Sequence, residues 1–265
     1  MKSTYLLLTF LVLLGFTSCI STKQLTYLQQ QGTQVDTIMP IRKQQEPYRL
    51  QINDLISIRI KALDQQLMSM FNPIGDEANS SASGEERLYY DGFRVDTHGK
   101  IRVPKLGELT VLGYTVDEVR ELIEKRLSDD FLKETAEVFV TVKLSGIRYT
   151  INGEIGSPGS NSIFRDELTI MEAIANSGDI TLTGDRTNVV IIRQYPLGQK
   201  IHHIDLTNIE AMNSPYYYVQ PNDLILINPL PQKSLGAGTT ALQSFTTILS
   251  IITALTTAVL LFITL

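Results

Sequence analysis

The sequence holds one cysteine, three histidines and no tryptophan, so the side chains able to act as nucleophile or metal ligand can be taken one at a time. Cys19 cannot form an internal disulfide, because it has no second thiol to pair with. It follows Lys2, an apolar run from Tyr5 to Phe16, and the small polar residues Thr17 and Ser18. That order is a secretory signal, too short to span a bilayer and stay. A thiol at the end of such a run matches the bacterial lipobox, in which cysteine receives diacylglycerol and the chain is cut before it. Phe16 stands where Leu is commonest in that pattern. The alternative is an ordinary cleaved signal with an unused thiol. An acyl anchor contributes about 0.8 kcal/mol per buried methylene, so the mature chain is expected to be tethered by its first residue. Only ISTKQ follows Cys19, with no acidic cluster to send the anchor to the outer cell surface.

The remaining candidates do not assemble into a catalytic set. His98 sits in a turn, and His202 and His203 are neighbours on a strand, where adjacent side chains point to opposite faces and cannot chelate one ion. No serine lies in a Gly-x-Ser-x-Gly elbow. The glycine-rich GEIGSPG lacks the Lys-Ser/Thr ending of a phosphate loop and contains a proline. Acidic residues are frequent, but no second signal supports a facing glycosidase pair. The expectation is therefore a protein that is not an enzyme, with no metal and no cofactor. Tyr216-Tyr217-Tyr218 can be read as a stacking platform for the apolar face of a sugar; the preferred reading is a strand with alternate rings buried.

A second cluster of chemistry is made of hydroxyls. The segment QSFTTILSIITALTTAVLLFITL, Gln243 to Leu265, contains no charge, and the last charged residue before it is Lys233. As a helix it is roughly 35 Å long, enough for a hydrocarbon core of about 30 Å. At 100° per residue, Gln243, Thr246, Thr247, Ser250, Thr253, Thr257 and Thr264 gather on one side. Phe245, Ile248, Leu249, Ile252, Leu255, Val259 and Ile263 gather on the other, with Leu261 and Thr256 each misplaced. Two readings compete evenly. Hydroxyls bonding back to the backbone suit a single anchor helix. Several copies in a ring, hydroxyl side to water, suit a pore wall that spans without a β-barrel. A helix diluted by hydroxyls also crosses an inner membrane more readily than a fully apolar one.

Upstream, 265 residues with 43% hydrophobic content can bury one or two ordinary cores, and a net charge of -5 speaks against a nucleic-acid binder. Residues 20–47, rich in Gln and Thr, read as a tether. YRLQINDLISIRI opens the first folded unit, and 72–88 reads as a mobile loop. YDGFRVDTHGKIRVPKLGELTVLGYTVDEVRELIEKRLSDDF follows, reading strand, turn, strand, turn and helix. Thr115 and Glu118 form a capping box, with Val119, Leu122, Ile123 and Leu127 on one helix face. In EVFVTVKLS, Val138, Val140 and Val142 alternate as a strand. A second unit begins with RYTINGEIGSPGSNSI. It repeats the box at Thr169 and Glu172, with Gly178 placed to end the helix, and closes on YYYVQPNDLILINPL. LQINDLISI and VQPNDLILI share Gln, Asn-Asp-Leu-Ile and Ile at identical spacing, although Asn-Asp favours the same turn in any context. Two α+β modules are expected.

Cys19 behind a signal, YRLQINDLISIRI, VDTHGKIRVPKLGELTVLGYTVDEVRELIEKRL and INGEIGSPGSNSI through YVQPNDLILI occur in this order. Together they resemble the bacterial polysaccharide biosynthesis/export lipoproteins of the outer membrane. The resemblance implies a signal at 1–18, a lipidated tether at 19–47 and an export domain at 48–145. After these come a soluble-ligand-binding β-grasp domain at 146–231, a linker at 232–240 and an amphipathic transmembrane helix at 241–265. Its structural motif positions are Asn53, Asp54, Gly99, Pro104, Gly107, Gly113, Gly153, Gly159, Asn222 and Asp223. Gln-Ile-Asn-Asp stands where the family usually has Gly-Pro-Gly-Asp, and just one β-grasp domain is clear. The resemblance further implies a homo-oligomeric ring passing capsular or extracellular polysaccharide from periplasm to surface. The pore would be lined by Gln243, Thr246, Thr247, Ser250, Thr253 and Thr257, and an inner-membrane polysaccharide co-polymerase, often a tyrosine kinase, would feed it. The alternative is a membrane-anchored glycan-binding lipoprotein that is not itself a pore.

Overall fold

The computed structural model describes residues 21–30, 47–62, 89–130, 138–195 and 198–234, together with 246, 249–254, 256 and 257 of the terminal segment. Cys19, Gln243, Thr247 and the expected loop at 72–88 lie outside the described residues.

Residues 21–30, part of the segment expected to be a tether, are held against the second domain. Ser21 caps the single helical turn α1 (Thr22–Leu25). Beyond it the Leu28 and Gln29 N–H groups donate to the carbonyls of Leu206 and Thr207 at 3.0 and 2.7 Å, and Ile209 N–H donates back to the Gln29 carbonyl at 3.2 Å. Tyr27 and Leu28 pack on the second domain's core, and the Tyr27 hydroxyl donates to Asp179 Oδ1 at 2.5 Å. Burial first, and then that bond, push the phenol up to about 12, so it remains a donor near neutrality.

The first domain grows around β1 (Leu55–Ala62), whose Ile56, Ile58 and Ile60 alternate inward. It is flanked by β2 (Phe93–Arg94) and, through an antiparallel register pairing Ile58 with Val142, by β5 (Val138–Leu144). Between them in sequence lie the hairpin of β3 (Lys100–Val103) and β4 (Gly107–Thr110) and the helix α2 (Val116–Asp130). The Thr115 capping box is formed in both directions: Glu118 N–H donates to Thr115 Oγ1 at 3.2 Å, and Thr115 N–H donates to Glu118 Oε2 at 2.8 Å. Val119, Ile123 and Leu127 are fully buried on the face that meets β5, with Leu122 at its margin. Burying each such side chain contributes about 1.5–3 kcal/mol, which is why this face, rather than propensity, holds the helix.

The second domain is a mixed sheet of five strands in the order β7-β6-β10-β8-β9. Its members are β6 (Ile147–Gly153), β7 (Gly159–Ile163), β8 (Val189–Tyr195), β9 (Gly198–Ile204) and β10 (Leu224–Ile227). β6 and β10 run parallel and the other pairs antiparallel. The helix α3 (Ile170–Asn176), capped by the reciprocal Thr169–Glu172 box, lays Ile170, Ala173 and Ile174 in the core beside Tyr149, an α+β module as the sequence predicts. A 3₁₀ turn (Ile209–Asn213) and the short α4 (Pro231–Ser234) complete it.

Tyr216-Tyr217-Tyr218 departs from the expected strand. The Ser214 hydroxyl and carbonyl accept the N–H groups of Tyr216 and Tyr217, which turns the chain after Pro215 and leaves only Tyr218 in a bridge, to Thr169. In the terminal segment the described residues are helical. Among the described residues no helix is long and apolar enough to cross a membrane, so the spanning helix rests on the sequence alone.

Two glycines test the packing. Gly107 and Gly153 both have left-handed φ, +77° and +97°; a Cβ on Gly107 would meet nothing within 4 Å, whereas one on Gly153 would fall on the Ile227 carbonyl of the parallel partner strand. Gly107→Ala should cost about 1 kcal/mol from backbone strain alone. Gly153→Ala should cost roughly 3 kcal/mol, because strain adds to the forced separation of β6 and β10. Thermal unfolding of the two variants checks the difference, and equal losses would contradict this packing.

Candidate functional site

The repeated sequence is a repeated structure. Asp54 Oδ2 accepts the Gln51 N–H and Asp223 Oδ2 accepts the Gln220 N–H, each at 2.8 Å. In both turns the aspartate N–H returns to the glutamine carbonyl at 3.2 Å. Asn53 and Asn222 both adopt left-handed φ, +73° and +66°, a conformation that asparagine tolerates better than most residues. Leu50 and Val219 are buried just before the turns, and Leu55 and Leu224 open β1 and β10 just after them.

The two turns meet. Asn222 Nδ2 donates to Asp54 Oδ1 at 3.3 Å, and Gln51 Nε2 donates to the Gln194 carbonyl at 3.0 Å. The Tyr48 hydroxyl adds a bond to Asp54 Oδ2 at 2.7 Å. Asp54 thus has three neutral donors, and burial pushes its carboxyl above the usual range despite them. Burial likewise pushes the Tyr48 phenol up. Asp223 is answered differently. Arg193 grips it through Nε and Nη2 at 3.0 and 2.7 Å and also donates to the Tyr218 carbonyl at 2.8 Å. Arg193 and Asp223 are only 4% and 1% exposed, so this is a bidentate ion pair sealed from water. Beyond it the Tyr216 ring lies 5.8 Å from the guanidinium, and His202 stacks on that ring at 4.0 Å. Burial, then the Arg193 charge, hold His202 below its ordinary range, so it is a neutral ring bonded to the Tyr195 hydroxyl at 3.1 Å. Tyr216 is occupied by protein rather than open as a sugar platform. Arg193 and Tyr48, the two residues that complete the junction, are not among the candidate residues named from the sequence, although Tyr48 opens YRLQINDLISIRI.

The other motif positions shape turns across both domains. Gly99 carries φ +74° where a Cβ would sit 2.5 Å from Leu112 Cβ. Pro104 and Gly107 bound the β3–β4 turn, with the Leu106 N–H donating to the Pro104 carbonyl at 2.8 Å. Gly113 N–H donates to the Leu50 carbonyl at 2.9 Å, and the Gly113 carbonyl accepts from Arg49 at 2.7 Å. Gly153 ends β6 and Gly159 begins β7. These residues do not converge on a pocket. His202 and His203 point apart, the latter to Asn188 Oδ1 at 2.7 Å, and among the described residues no group of three potential metal ligands comes together.

Of the hydroxyl stripe, Thr246, Ser250, Thr253 and Thr257 are helical and exposed. Thr253 Oγ1 donates to the Leu249 carbonyl at 2.8 Å and Thr257 Oγ1 to the Thr253 carbonyl at 2.7 Å, the back-bonding pattern open to hydroxyls on a helix.

Comparison with known proteins divides the chain at the same place as the fold. Residues 42–143 match the family described as polysaccharide biosynthesis/export protein, and residues 148–227 match the SLBB domain. Between the matches lies the Ser145-Gly146 link from β5 to β6. The EPS I polysaccharide export outer membrane protein EpsA of Ralstonia nicotianae is 28% identical over 159 residues, 58% of this chain and 40% of that protein. The protein of the same name from Ralstonia solanacearum is 27% identical over 151 residues, 56% of this chain and 39% of its own length. The matched stretch therefore spans about two fifths of these curated relatives.

Two substitutions separate the two aspartates. Arg193→Ala leaves Asp223 buried without its cation and should destabilise the chain by about 3–5 kcal/mol at neutral pH in urea unfolding; a loss under 1 kcal/mol would contradict the sealed pair. Asp54→Asn removes the ionisable group: its amide oxygen can accept from Gln51 and Tyr48, while its NH2 faces Asn222, whose own amide must turn to accept. Because burial raises the folded carboxyl above its unfolded value, wild-type stability from Asp54 is complete below about pH 4 and declines as pH rises through the folded value. The variant should gain on wild type between pH 4 and 7, and a gap that stays constant would refute the raised carboxyl.

Proposed function

The chain belongs to the polysaccharide biosynthesis/export family, a family of export proteins rather than enzymes, and on that premise we propose that it is a subunit of an outer-membrane polysaccharide export channel. The observation that carries the reading is the order of parts: an export domain, one SLBB domain directly after it, and an uncharged stretch striped with hydroxyls. In this reading Cys19 is acylated and most of the chain stands in the periplasm. Copies of it form a ring whose domains enclose a cavity. The terminal helices cross the outer membrane as a barrel, with Gln243, Thr246, Thr247, Ser250, Thr253 and Thr257 facing a wet lumen and the apolar side facing lipid. Capsular or extracellular polysaccharide passes through without nucleotide or cofactor in this subunit, fed by an inner-membrane co-polymerase.

The chemistry of the stripe suits such cargo. Weak, exchangeable hydrogen bonds let a sugar chain slide, where fixed charges in a low-dielectric wall would hold charged polymer or repel it. With one SLBB domain, the assembly would be shorter along its axis than relatives with several. The second reading, a monomeric glycan-binding lipoprotein with an anchor helix, is favoured by the back-bonded threonines, which need no lumen.

Imaging of the detergent-solubilised full chain separates the two: rings are expected, and monomers that keep the terminal helix would reject the channel. In the same assay Ser250→Lys and Thr257→Lys should assemble normally yet release at least tenfold less surface polysaccharide. Normal export from such rings would reject the lumen face.

A further inference from the structure

Two stretches far apart in sequence attach to one loop of the second domain, residues 179–186. On one side the loop holds the N-terminal segment. Asp179 accepts the Tyr27 hydroxyl, and the Arg186 guanidinium lies 5.1 Å from the Tyr27 ring. Arg186 is 5% exposed and donates to the carbonyls of Ile180 and Thr181 at 2.5 and 3.1 Å, while its buried Nε has no hydrogen-bond partner. The Tyr27 ring is therefore part of what covers a buried cation, and lifting the segment away would leave that charge poorly shielded. On the other side the same loop holds the chain as it leaves β10. Leu230 N–H donates to the Thr183 carbonyl at 2.7 Å, Asp185 N–H donates to the Asn228 carbonyl at 2.9 Å, and Gly184 bridges to Pro229. Glu154 gathers the hydroxyls of Thr181 and Thr183 at 3.0 and 2.7 Å and pairs with Lys233, the last charged residue of the sequence.

β10 gives the arrangement a direction. Asn222, before the strand, reaches Asp54 of the first domain, and Asn228, after it, meets the loop. Six residues of extended chain separate these contacts by about 20 Å, so the export domain and the loop lie toward opposite ends of the strand. Leu182, between the two attachments, is 52% exposed. A single exposed leucine is ordinary. This one sits where the chain behind Cys19 and the chain ahead of the uncharged terminal stretch are both clamped. Cys19 is two residues before Ser21 and so within roughly 7 Å of it.

We infer that the 179–186 loop is the surface by which the second domain rests on a phospholipid leaflet, with Leu182 at the headgroup level and the Tyr27 and Lys233 contacts as its two clamps. The inference rests on the membrane reading above. The occupant is lipid rather than another protein, because in that reading both attached chain segments lead to groups that partition into a bilayer: an acylated cysteine and an uncharged terminal stretch with one apolar side.

The test uses the full acylated chain, whose only native thiol is blocked by the acyl group. Leu182→Cys and, as a distal control on an exposed turn, His98→Cys are labelled with an environment-sensitive fluorophore. The proteins are then reconstituted in phosphatidylethanolamine–phosphatidylglycerol vesicles carrying a headgroup nitroxide. Quenching at 182 is expected to exceed that at 98 at least threefold, and adding Tyr27→Ala should lower it by at least half. Vesicle-bound protein with equal quenching at both sites overturns the inference alone, as does full quenching at 182 after Tyr27→Ala. Protein that fails to float with vesicles overturns the membrane reading and this inference with it.

Discussion

A buried carboxylate that accepts the N–H three residues before it is the constraint on which both domains depend. Asp54 and Asp223 each close a turn that delivers the chain into the central strand of its sheet, β1 between β2 and β5, and β10 between β6 and β8. A carboxylate can hold such a turn only if its own desolvation is met, since an unpaired buried charge costs several kcal/mol. The molecule meets that cost in two ways. Asp223 has a bidentate arginine, and Asp54 has a phenol, an amide and a backbone N–H. The first arrangement sets a charge pair firmly in place. Burial pushes both carboxyls above the usual range, and only the second, at the position where the two domains touch, has no cation beside it.

That difference explains why two copies of one motif do unequal work. Asn222 reaches across to Asp54, while Asn53 stays exposed, so the bridge runs in one direction only. The domains keep separate hydrophobic cores, and Ser145-Gly146 is the covalent step between them. Directional polar contacts such as Asn222 to Asp54 and Gln51 to the Gln194 carbonyl define an angle more sharply than apolar packing does. A polar junction is also the kind that re-forms readily when domains move.

What the sequence made legible was local. The boxes at Thr115 and Thr169 announced their helices because cap and carboxylate are three residues apart, and the alternation of Val138, Val140 and Val142 announced a strand because its period is two. The NDLI echo was visible for the same reason. The partners that finish the site were not legible, because they are distant. Arg193 sits in a strand that reads as simply buried, and its aspartate is 30 residues away. Tyr27, in a Gln-rich stretch without apolar period, finds Asp179 at a separation of 152 residues. The tyrosine run misled because a serine two residues upstream could fold back on it, and a hydroxyl competing for backbone N–H groups leaves no periodic trace.

The hydroxyl stripe poses a different question, since its geometry alone serves lipid and water alike. Thr253, Thr256 and Thr257 spend their only donors on carbonyls one turn back, which leaves oxygen lone pairs facing outward. In hydrocarbon, a hydroxyl without its donor proton to satisfy costs little. In water it offers acceptors to a passing sugar without binding any one of them for long, since each such hydrogen bond nets only about 1 kcal/mol. The helix therefore cannot choose its own surroundings. In the proposed ring that choice would fall to whatever fixes the number and tilt of neighbouring copies, and in this chain the exit after β10 is fixed by Glu154, Thr183 and the loop they share with the N-terminal segment. In the proposed channel, a lumen would be decided by where the folded domain releases the terminal segment.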